Sequence, residues 1–428
     1  MERFLEAGKE SGFRHVDLRR LRVSAREWVQ EQNGDIHERA GNIDTLSLRG
    51  FQANASPLGA CLSAPSLKGV RDAFRELQRG AVADASPGIA QLLPRESRRV
   101  SLEIYDPQVQ DAEKLGEETA SRLCELMIRH AGVELYGWRL RLEERKVNVA
   151  NTRGLEAKYR KSLFSLVLKL RQNEREIEVE ERRTHWQGVQ FDRLLGRGIF
   201  FLGAMMGGRE PRPRNIKMVL SPFAAAAVLH DFSAVLRVSG EYAPPDIRCA
   251  PQVQIADCPL LDGLPGSVPM DDEGMMCRDT TLIEGGRVQA RLTDLAGAAR
   301  EGVAVTGNGF RGDADPFPRA RFTNLCVRPS VISLERIMKE AGRGILVTSL
   351  RLRGAAGIER TYGANGYLFS GSDLGEPVHF SLRTAFLSWF LKIERVSRET
   401  ASTVSGGISV LSPYLRVEAQ RKGDEWVV

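Results

Sequence analysis

The sequence predicts an α+β protein: an N-terminal mixed α/β domain followed by a C-terminal, mostly antiparallel β domain with one packed helix. In the first half, windows with helical hydrophobic periodicity are interleaved with windows in which every second residue is apolar. In the second half, short apolar runs are separated by Gly, Pro, Asp and Asn, which is typical of many short strands. The Gly-, Pro- and Arg-rich stretch Gly207–Arg214 indicates a boundary, so the predicted domains are residues 1–212 and 213–428. A length of 428 residues suits two or three domains.

The elements of the N-terminal half follow from local patterns. Helical spacing and composition predict four helices, at Glu2–Ser11, Pro65–Gln78, Asp111–Ala131 and Gln187–Gly203. Strands are predicted at Val16–Glu31, Thr45–Leu48 and Val100–Tyr105, and an antiparallel meander over Gly137–Gln187 with a turn at Asn151–Gly154. The dipeptide Asn33-Gly34 is a typical hairpin turn, and it predicts that the strands on either side of it pair.

The C-terminal half contains two predicted helices and a series of short strands. One helix covers Pro222–Val238, and the second covers Ser333–Ala341, where Ser333 is a favourable N-cap residue. Strands are predicted at the apolar runs Thr281–Ile283, Val303–Thr306, Gly344–Leu350, Gly366–Phe369 and Ile408–Val417. Together they favour an antiparallel sheet with a helix packed against it.

The charge pattern does not favour a nucleic-acid partner. The chain has 61 Lys and Arg residues and 55 Asp and Glu residues, which gives a net charge of +6. Charges of both signs are mixed, as in Glu174–Arg183, and this mixture is typical of a solvated face rather than a basic stripe. Only 11 of the basic residues are lysine, a skew that a GC-rich genome would produce without any functional cause.

Nothing in the sequence indicates a membrane or an oxidising compartment. The longest apolar stretches, Ser162–Leu170 and Gly198–Gly208, are shorter than the ~18 residues that a spanning helix needs. The first ten residues include acidic ones and contain no apolar run, so they do not resemble a secretory signal. The six cysteines form no CxxC pair. We therefore expect a cytoplasmic protein with no membrane partner.

The helix that begins after Ser221 ends in a broken metal-binding pattern. Ser221 is a favourable N-cap residue and Pro222 fits the first helical position. His230 and Asp231 resemble the start of a zinc-hydrolase helix, but HExxH would need a histidine at Ala234 and HExxxH would need one at Val235. A catalytic zinc ion needs at least three protein ligands. The sequence therefore predicts no metal in this chain and no catalytic residue, with His230 and Asp231 as a degenerate site or a coincidence.

A set of weak motifs in a fixed order resembles the TldD/PmbA family, known as modulators of DNA gyrase and as metallopeptidase subunits. The matching segments are Ser221–His230, Asp271–Gly274, Thr280–Gly286, Thr306–Arg311, Asn324–Pro329, Ser333–Thr348 and, at the end, Ser412-Pro413 with Leu415–Glu418. The resemblance runs through nearly the whole chain and is densest in the second half. It implies the fold of that family and a role in proteolysis.

The family has two branches that pair, and the resemblance favours the metal-free one. The TldD branch carries HExxxH and a cysteine near a C-terminal Gly-rich segment, whereas the last cysteine here is Cys326, far before Gly406-Gly407. The chain is thus most similar to the PmbA (TldE) branch. This implies a TldD-type partner subunit that carries HExxxH and zinc, and an unfolded peptide as substrate, such as a ribosomal peptide leader or an antitoxin. The alternative is a stand-alone peptide-binding or regulatory module without catalysis or, less readily, a DNA-associated protein.

Two loops are candidates for the substrate cleft that such a complex would form. They contribute Asp271, Asp272, Glu273, Gly274, Thr306, Asn308 and Arg311. The alternative is structural, because an acidic loop is commonly a solvated turn. Similarly, Thr306–Gly309 lacks the Lys-Ser/Thr of a phosphate-binding loop and favours a tight turn.

Other reactive residues are better explained as structural. The spacing of Cys249, Cys258 and Cys277 fits no metal site, and we expect all three to be buried. No GxSxG motif supports serine hydrolysis, and His379 reads as a strand residue rather than a base.

Overall fold

The computed structural model describes residues 1–32, 34–52, 57–79, 89–96, 101–128, 132–207, 210–238, 247–385 and 389–428. Within these ranges the strands form two large sheets, and the helices pack against them. All strands of the first sheet precede residue 184, and all strands of the second follow residue 214. The α+β fold predicted from the sequence is confirmed.

The first sheet is fully antiparallel and has the order β3-β2-β1-β4-β5-β6. Its strands are β1 (His15–Glu31), β2 (Ile36–Phe51), β3 (Leu58–Ser63), β4 (Glu134–Asn151), β5 (Glu156–Gln172) and β6 (Arg175–Arg183). Its helices are α1 (Glu2–Glu10), α2 (Leu67–Arg79), α3 (Ile89–Leu92), α4 (Ala112–Ile128) and α5 (Phe191–Met205). One apolar core lies under α1 and α2 around Phe74, and a second lies under α4 and α5 around Trp138. Apolar residues at every second position of these strands thus lie on one face of the sheet, and the helices cover that face.

The second sheet is mixed, and its strand pairings close into a ring. Its helices are α6 (Pro222–Ser233), α7 (Leu295–Glu301) and α8 (Leu334–Ala341). The strands of this half are β7 (Asn215–Leu220), β8 (Ile255–Asp257), β9 (Thr280–Glu284), β10 (Arg287–Val288), β11 (Gly309–Phe310), β12 (Arg319–Ala320), β13 (Asn324–Val327), β14 (Arg343–Ala356), β15 (Glu359–Ser370), β16 (Asp373–Ala385), β17 (Ile393–Ser405), β18 (Ile408–Lys422) and β19 (Glu425–Val427). Strands β11 and β12 pair only with each other among these, as a separate two-stranded sheet. Strand β7 pairs in parallel with β14 and antiparallel with β18, so the order β18-β19-β16-β15-β14-β7 returns to β18. Helix α6 packs on β14, β17 and β18, in the main apolar core.

Helix α5 connects the two halves. It packs on β5 and β6 of the first sheet, and it also contacts β15 and β16 of the second. The Phe200 ring stacks on Tyr367 with centroids 4.9 Å apart, and the Tyr367 hydroxyl donates to the Phe200 carbonyl at 2.8 Å. The division of the chain into residues 1–212 and 213–428 stays a prediction, because α5 packs on both sheets.

Two predicted strands are wrong, and several observed strands were not predicted. Residues 101–106 form no strand. Their contact with β5 is a backbone hydrogen bond from the N–H of Ser162 to the carbonyl of Ile104 at 3.0 Å, which does not make a ladder. Val100 lies outside the described residues. Residues 303–306 are irregular because the backbone of Thr306 bonds the side chain of Thr293 at 3.0 Å. The strands that no predicted range covers include β3, β7, β8 and β17. The hairpin predicted at Asn33-Gly34 does join β1 and β2, although Asn33 itself lies outside the described residues.

Across the described ranges, no helix is both long enough and apolar enough to span a bilayer.

Candidate functional site

Helix α6 begins as its sequence predicts. The Ser221 hydroxyl accepts a hydrogen bond from the backbone N–H of Ala224 at 3.2 Å and donates one to the carbonyl of Thr348 at 2.8 Å. The cap therefore fixes the start of the helix against β14. The apolar side chains that follow are buried in the main core, and His230 lies in the last turn.

The geometry after His230 does not suit a second metal ligand. The regular helix ends at Ser233, and Ala234–Leu236 form a 3₁₀ turn. The His230 side chain is 40% exposed, whereas Val235 is fully buried in the main core. A histidine at position 235 would therefore point into the core rather than toward His230. The site is broken by geometry as well as by residue type.

Asp231 is held by neighbours on β15 and is not free to activate a water molecule. The Tyr362 hydroxyl donates a short hydrogen bond to the Asp231 carboxylate, and Arg360 Nε lies 3.6 Å from it. Burial alone would raise the pKa of Asp231, but hydrogen bonds from His230 and Tyr362 and the charge of Arg360 outweigh it and hold that pKa low. The carboxylate thus acts as an anchor between α6 and β15.

The turn between β17 and β18 packs on His230. Gly406 has a φ of +54°, and a Cβ atom at this position would lie 2.0 Å from His230 Nε2. Only a residue without a side chain fits this close approach. The C-terminal Gly-rich segment thus reaches the degenerate site, but it brings no thiol there.

These residues do not fit a zinc ion. Among the residues that the structure describes, no group of three or more His, Cys, Asp or Glu side chains is placed to hold a metal. His230 is the one potential zinc ligand that the HExxxH spacing finds in this helix, and a single imidazole falls short of the three protein ligands that zinc requires. We derive no chemical step through a metal in this chain.

The first prediction concerns metal content. The purified chain should contain less than about 0.1 zinc ion per molecule, because one ligand gives no stable site. Elemental analysis after gel filtration measures this, with the His230→Ala variant as the matched control. One zinc per chain in the wild type, lost in the His230→Ala variant, would contradict the prediction.

The seven cleft candidates all lie buried inside the chain. They form two loops that pack on each other and on the first sheet: Asp271, Asp272, Glu273, Gly274, Thr306, Asn308 and Arg311. The interpretation of the acidic loop as a solvated turn is therefore wrong. The expectation that these residues line an open cleft also does not fit this placement, because they face other residues of the same chain.

Buried ion pairs join these loops to the first sheet. Arg49 on β2 donates to Asp17 on β1 at 3.0 Å and to Glu273 at 3.0 Å. Arg311 Nη2 donates to the same Asp17 carboxylate at 2.9 Å. Arg19 Nε donates to Asp272 at 3.1 Å. We call these six residues the junction cluster. Each is less than 10% exposed, so solvent screens these charges only weakly.

Backbone N–H groups complete the acidic turn. Asp271 accepts from the N–H groups of Glu273 and Met275, both at 2.9 Å, and from that of Gly309 at 2.8 Å. Glu273 accepts from the N–H of Leu295, the first residue of α7, at 2.8 Å. Burial, and then the charge of Glu273, raises the pKa of Asp271 well above its usual value. The acidic turn thus fixes the positions of the loop at Gly309 and of the start of α7 at Leu295.

The second loop is held in a similar way. Asn308 donates to Asp257 at 2.7 Å and to the carbonyl of Arg321 at 3.0 Å. Burial raises the pKa of Asp257 to about 7 despite these bonds. Gly307 has a φ of +77°, and a Cβ there would lie 2.5 Å from the Met276 carbonyl, so the loop needs glycine at this position.

Sequence reasoning missed the partners of the acidic turn. Asp17 and Arg19 occupy alternate positions of β1, on the same face as the buried Leu21 and Val23. Charged residues within the apolar row of a strand are the signal that could have revealed a buried ion pair. The expected burial of Cys249, Cys258 and Cys277 is confirmed.

Comparisons with known proteins agree with the motifs. Residues 215–422 match the model of the PmbA/TldA metallopeptidase C-terminal domain. A metalloprotease of Methanocaldococcus jannaschii is 25% identical over 151 residues, which is 34% of this chain and 33% of that relative. The zinc metalloprotease TldD homolog of Saccharolobus solfataricus is 24% identical over 255 residues, 56% of this chain and 57% of that relative. The aligned parts thus span between a third and just over half of these relatives.

Solved structures extend the likeness to the whole fold. TldE from Thermococcus kodakarensis superposes with a TM-score of 0.80 at 18% identity and covers 98% of both chains. A Thermotoga maritima protein described as a candidate modulator of DNA gyrase superposes with a TM-score of 0.79 at 19% identity, over 97% of both chains. At these identities the structural likeness shows the fold alone. The match over residues 215–422, together with the order of the motifs, shows that the C-terminal half of the chain is a PmbA/TldD-type domain.

Proposed function

We propose that this chain is the subunit without zinc in a heterodimeric TldD/TldE-type metallopeptidase that cleaves unstructured peptides in the cytoplasm. A partner subunit with an intact HExxxH helix supplies the zinc ion and the general base. This chain completes the substrate cleft through surfaces around its degenerate site. The ribosomal peptide leader and the labile antitoxin are the substrate classes that suit such an enzyme.

The proposal depends on one observation: the residues around His230 and Asp231 are held in an ordered arrangement although the helix has no second metal ligand. The Ser221 cap, the anchor between Asp231 and Tyr362, and the contact of Gly406 with His230 keep the degenerate site ordered. A chain that had no role in a complex would have little reason to maintain these contacts once its ligands were gone. The name of the Thermococcus kodakarensis protein and the zinc metalloprotease name of the Saccharolobus solfataricus relative support a division of labour between two related subunits.

The hairpin beside the degenerate site offers a surface for the partner. Arg360 and Tyr362 of β15 contact Asp231, and beyond them the tip of the β14–β15 hairpin, residues 351–359, is exposed on both strands. Leu352 is 49% exposed and Ile358 is 42% exposed at this tip. Exposed apolar side chains at the end of a long hairpin are typical of a protein interface, and an extended peptide can add to such a strand through its backbone.

All six cysteines are free, two of them outside the buried regions, which suits a reducing compartment.

The second prediction is that reconstitution creates activity. Co-expression with the HExxxH relative should give a complex that co-elutes on gel filtration and cleaves an unfolded peptide, whereas neither chain alone should reach more than a small fraction of that rate. Cleavage of a fluorogenic unfolded peptide measures it.

The surface assignment has its own control. The double change Leu352→Glu and Ile358→Glu should prevent co-elution, while Val331→Glu, at a residue that is 91% exposed on a different loop, should not. Full activity of the relative alone, with no co-elution, would refute the heterodimer and leave a stand-alone role.

A further inference from the structure

A cavity of about 250 Å³ lies on the face of the second sheet opposite Tyr362, beyond the end of α5. Successive residues of a strand point to opposite faces, so Tyr362 faces the core while Gly363 and Asn365 face the cavity. Arg351 and Arg353 reach the cavity from β14, His379 from β16, and Arg175 from β6 of the first sheet. The cavity therefore collects side chains from both halves of the chain.

The cavity is strongly cationic. Three of its lining residues are arginines, and within the described ranges none of these three guanidinium groups has a carboxylate at ion-pair distance. The carboxylate of Glu210 has only a small electrostatic effect on His379. It forms an ion pair with Arg421, whose Nη2 lies 3.2 Å from Glu210 Oε2. Because no carboxylate of the described residues lies beside these guanidinium groups, the cavity carries positive charge that a bound anion would neutralise.

One of the guanidinium groups is held in position. Asn365 lies directly opposite His379 in the β15–β16 ladder, and its side-chain oxygen is 2.9 Å from His379 Nδ1. His379 Nε2 is 3.1 Å from Arg353 Nη2. Burial and then the charges of Arg353 and Arg175 lower the pKa of His379, so its ring is neutral at pH 7. A neutral ring that donates from Nδ1 to Asn365 accepts at Nε2 from Arg353, which fixes that guanidinium over the cavity.

Gly363 makes the room for this arrangement. A Cβ atom at Gly363 would lie 2.4 Å from Arg353 Nε and 2.8 Å from Arg353 Cζ. The guanidinium thus lies across the strand where any other residue would place a side chain. Arg353 is exposed, but the glycine beneath it and the histidine beside it orient its guanidinium group toward the cavity.

We infer that this cavity binds an oxyanion, a small carboxylate or phosphate group that bridges Arg351, Arg353 and Arg175. Guanidinium groups bind both kinds of oxyanion through paired N–H donors, so the two share one chemistry here. The volume suits an anion of about the size of phosphate or a short dicarboxylate. The inference does not rest on the proposed function, because the cavity belongs to this chain alone.

The test is titration of the full chain by calorimetry with two probes, inorganic phosphate and succinate, at constant ionic strength against a chloride baseline. Binding of phosphate alone identifies a phosphate site, binding of succinate alone a carboxylate site, and binding of both a general oxyanion site; each supports the inference. Arg353→Gln should weaken binding about tenfold, the usual effect of losing one charge-assisted contact. Arg343→Gln, at the opposite end of the same strand, is the matched control and should change nothing.

A second variant tests the geometry separately from the charge. Gly363→Ala keeps all three arginines and leaves the backbone unstrained, but its methyl group displaces the flexible end of Arg353. It should weaken binding by a factor similar to that of Arg353→Gln while circular dichroism stays unchanged. Binding of neither probe to the wild-type chain, or equal losses in Arg353→Gln and Arg343→Gln, would overturn the inference.

Discussion

Replacement of Asp17 by alanine is expected to lower the free energy of unfolding by about 3–5 kcal/mol, which makes it the most destabilising single change considered for this chain. Asp17 accepts hydrogen bonds from both Arg49 and Arg311, and it is 1% exposed. Without it, two guanidinium groups stay buried between the sheet and the loops with Glu273 as the remaining direct partner of Arg49. Urea unfolding followed by circular dichroism measures the loss.

The matched control is Asp44→Ala on the neighbouring strand. Asp44 pairs with Arg20 at 2.6 Å, but both side chains are partly exposed, at 33% and 24%. Water screens such a pair, so its loss should cost no more than about 1 kcal/mol. Similar losses in the two variants would contradict the view that the junction cluster holds the two halves together.

The same residue gives the stability a defined dependence on pH. Burial alone would raise the pKa of Asp17, but the charges of Arg311 and Arg49 outweigh it and hold that pKa below its usual value. A depressed carboxyl pKa contributes stability that is fully present above the unfolded pKa of about 3.9 and is lost as the pH falls through the folded value. The difference in unfolding free energy between wild type and Asp17→Ala should therefore be constant from pH 7 to 5 and shrink below pH 4.

The second large effect is an asymmetry between the two subunits of the proposed complex. Replacement of the first histidine of the partner's HExxxH by alanine should lower kcat by more than about a thousandfold, because it removes a zinc ligand. The equivalent change here, His230→Ala, should alter kcat by less than about twofold, since a lone imidazole does not make a zinc site. Initial rates of peptide cleavage by the two variant complexes, prepared in parallel, measure the difference.

The comparison is informative in either direction. A loss of a hundredfold or more in the His230→Ala complex, with zinc content and co-elution unchanged, would show that this chain contributes directly to catalysis. The role of a subunit without chemistry would then be wrong, although the heterodimer itself would stand.

The sequence allowed correct prediction of those features that depend on nearby residues. The cap at Ser221 and the long strands of the meander are both local patterns. The buried role of the acidic turn could not be predicted, because its partners Arg19 and Arg49 lie more than two hundred residues earlier in the chain. A loop rich in acids is usually solvated, and only the three-dimensional arrangement shows that this one is neutralised by arginines.

The cavity lined by β14, β15 and β16 could not be predicted from the sequence for a similar reason. The apolar run Gly344–Leu350 predicts part of β14, and His379 is interpreted as a strand residue, but the sequence does not show which side chains share a face with Arg175 of the first sheet. The bulge in β14 between Leu352 and Gly354 changes the direction of Arg353 relative to a regular strand, and such irregularities have no clear signature in one sequence.

The position of β18 in the ring of strands sets the timing of folding during synthesis. Strand β7 leads into α6 and carries the apolar residues Met218 and Leu220, yet its antiparallel neighbour β18 is made about 190 residues later. At 5–20 residues per second, this interval is roughly ten to forty seconds. Throughout it, the surface of β7 and α6 that β18 will cover stays open to other chains. The nascent protein should therefore depend on chaperones that bind apolar segments on the ribosome, and slower translation of residues 221–407 should increase aggregation rather than relieve it.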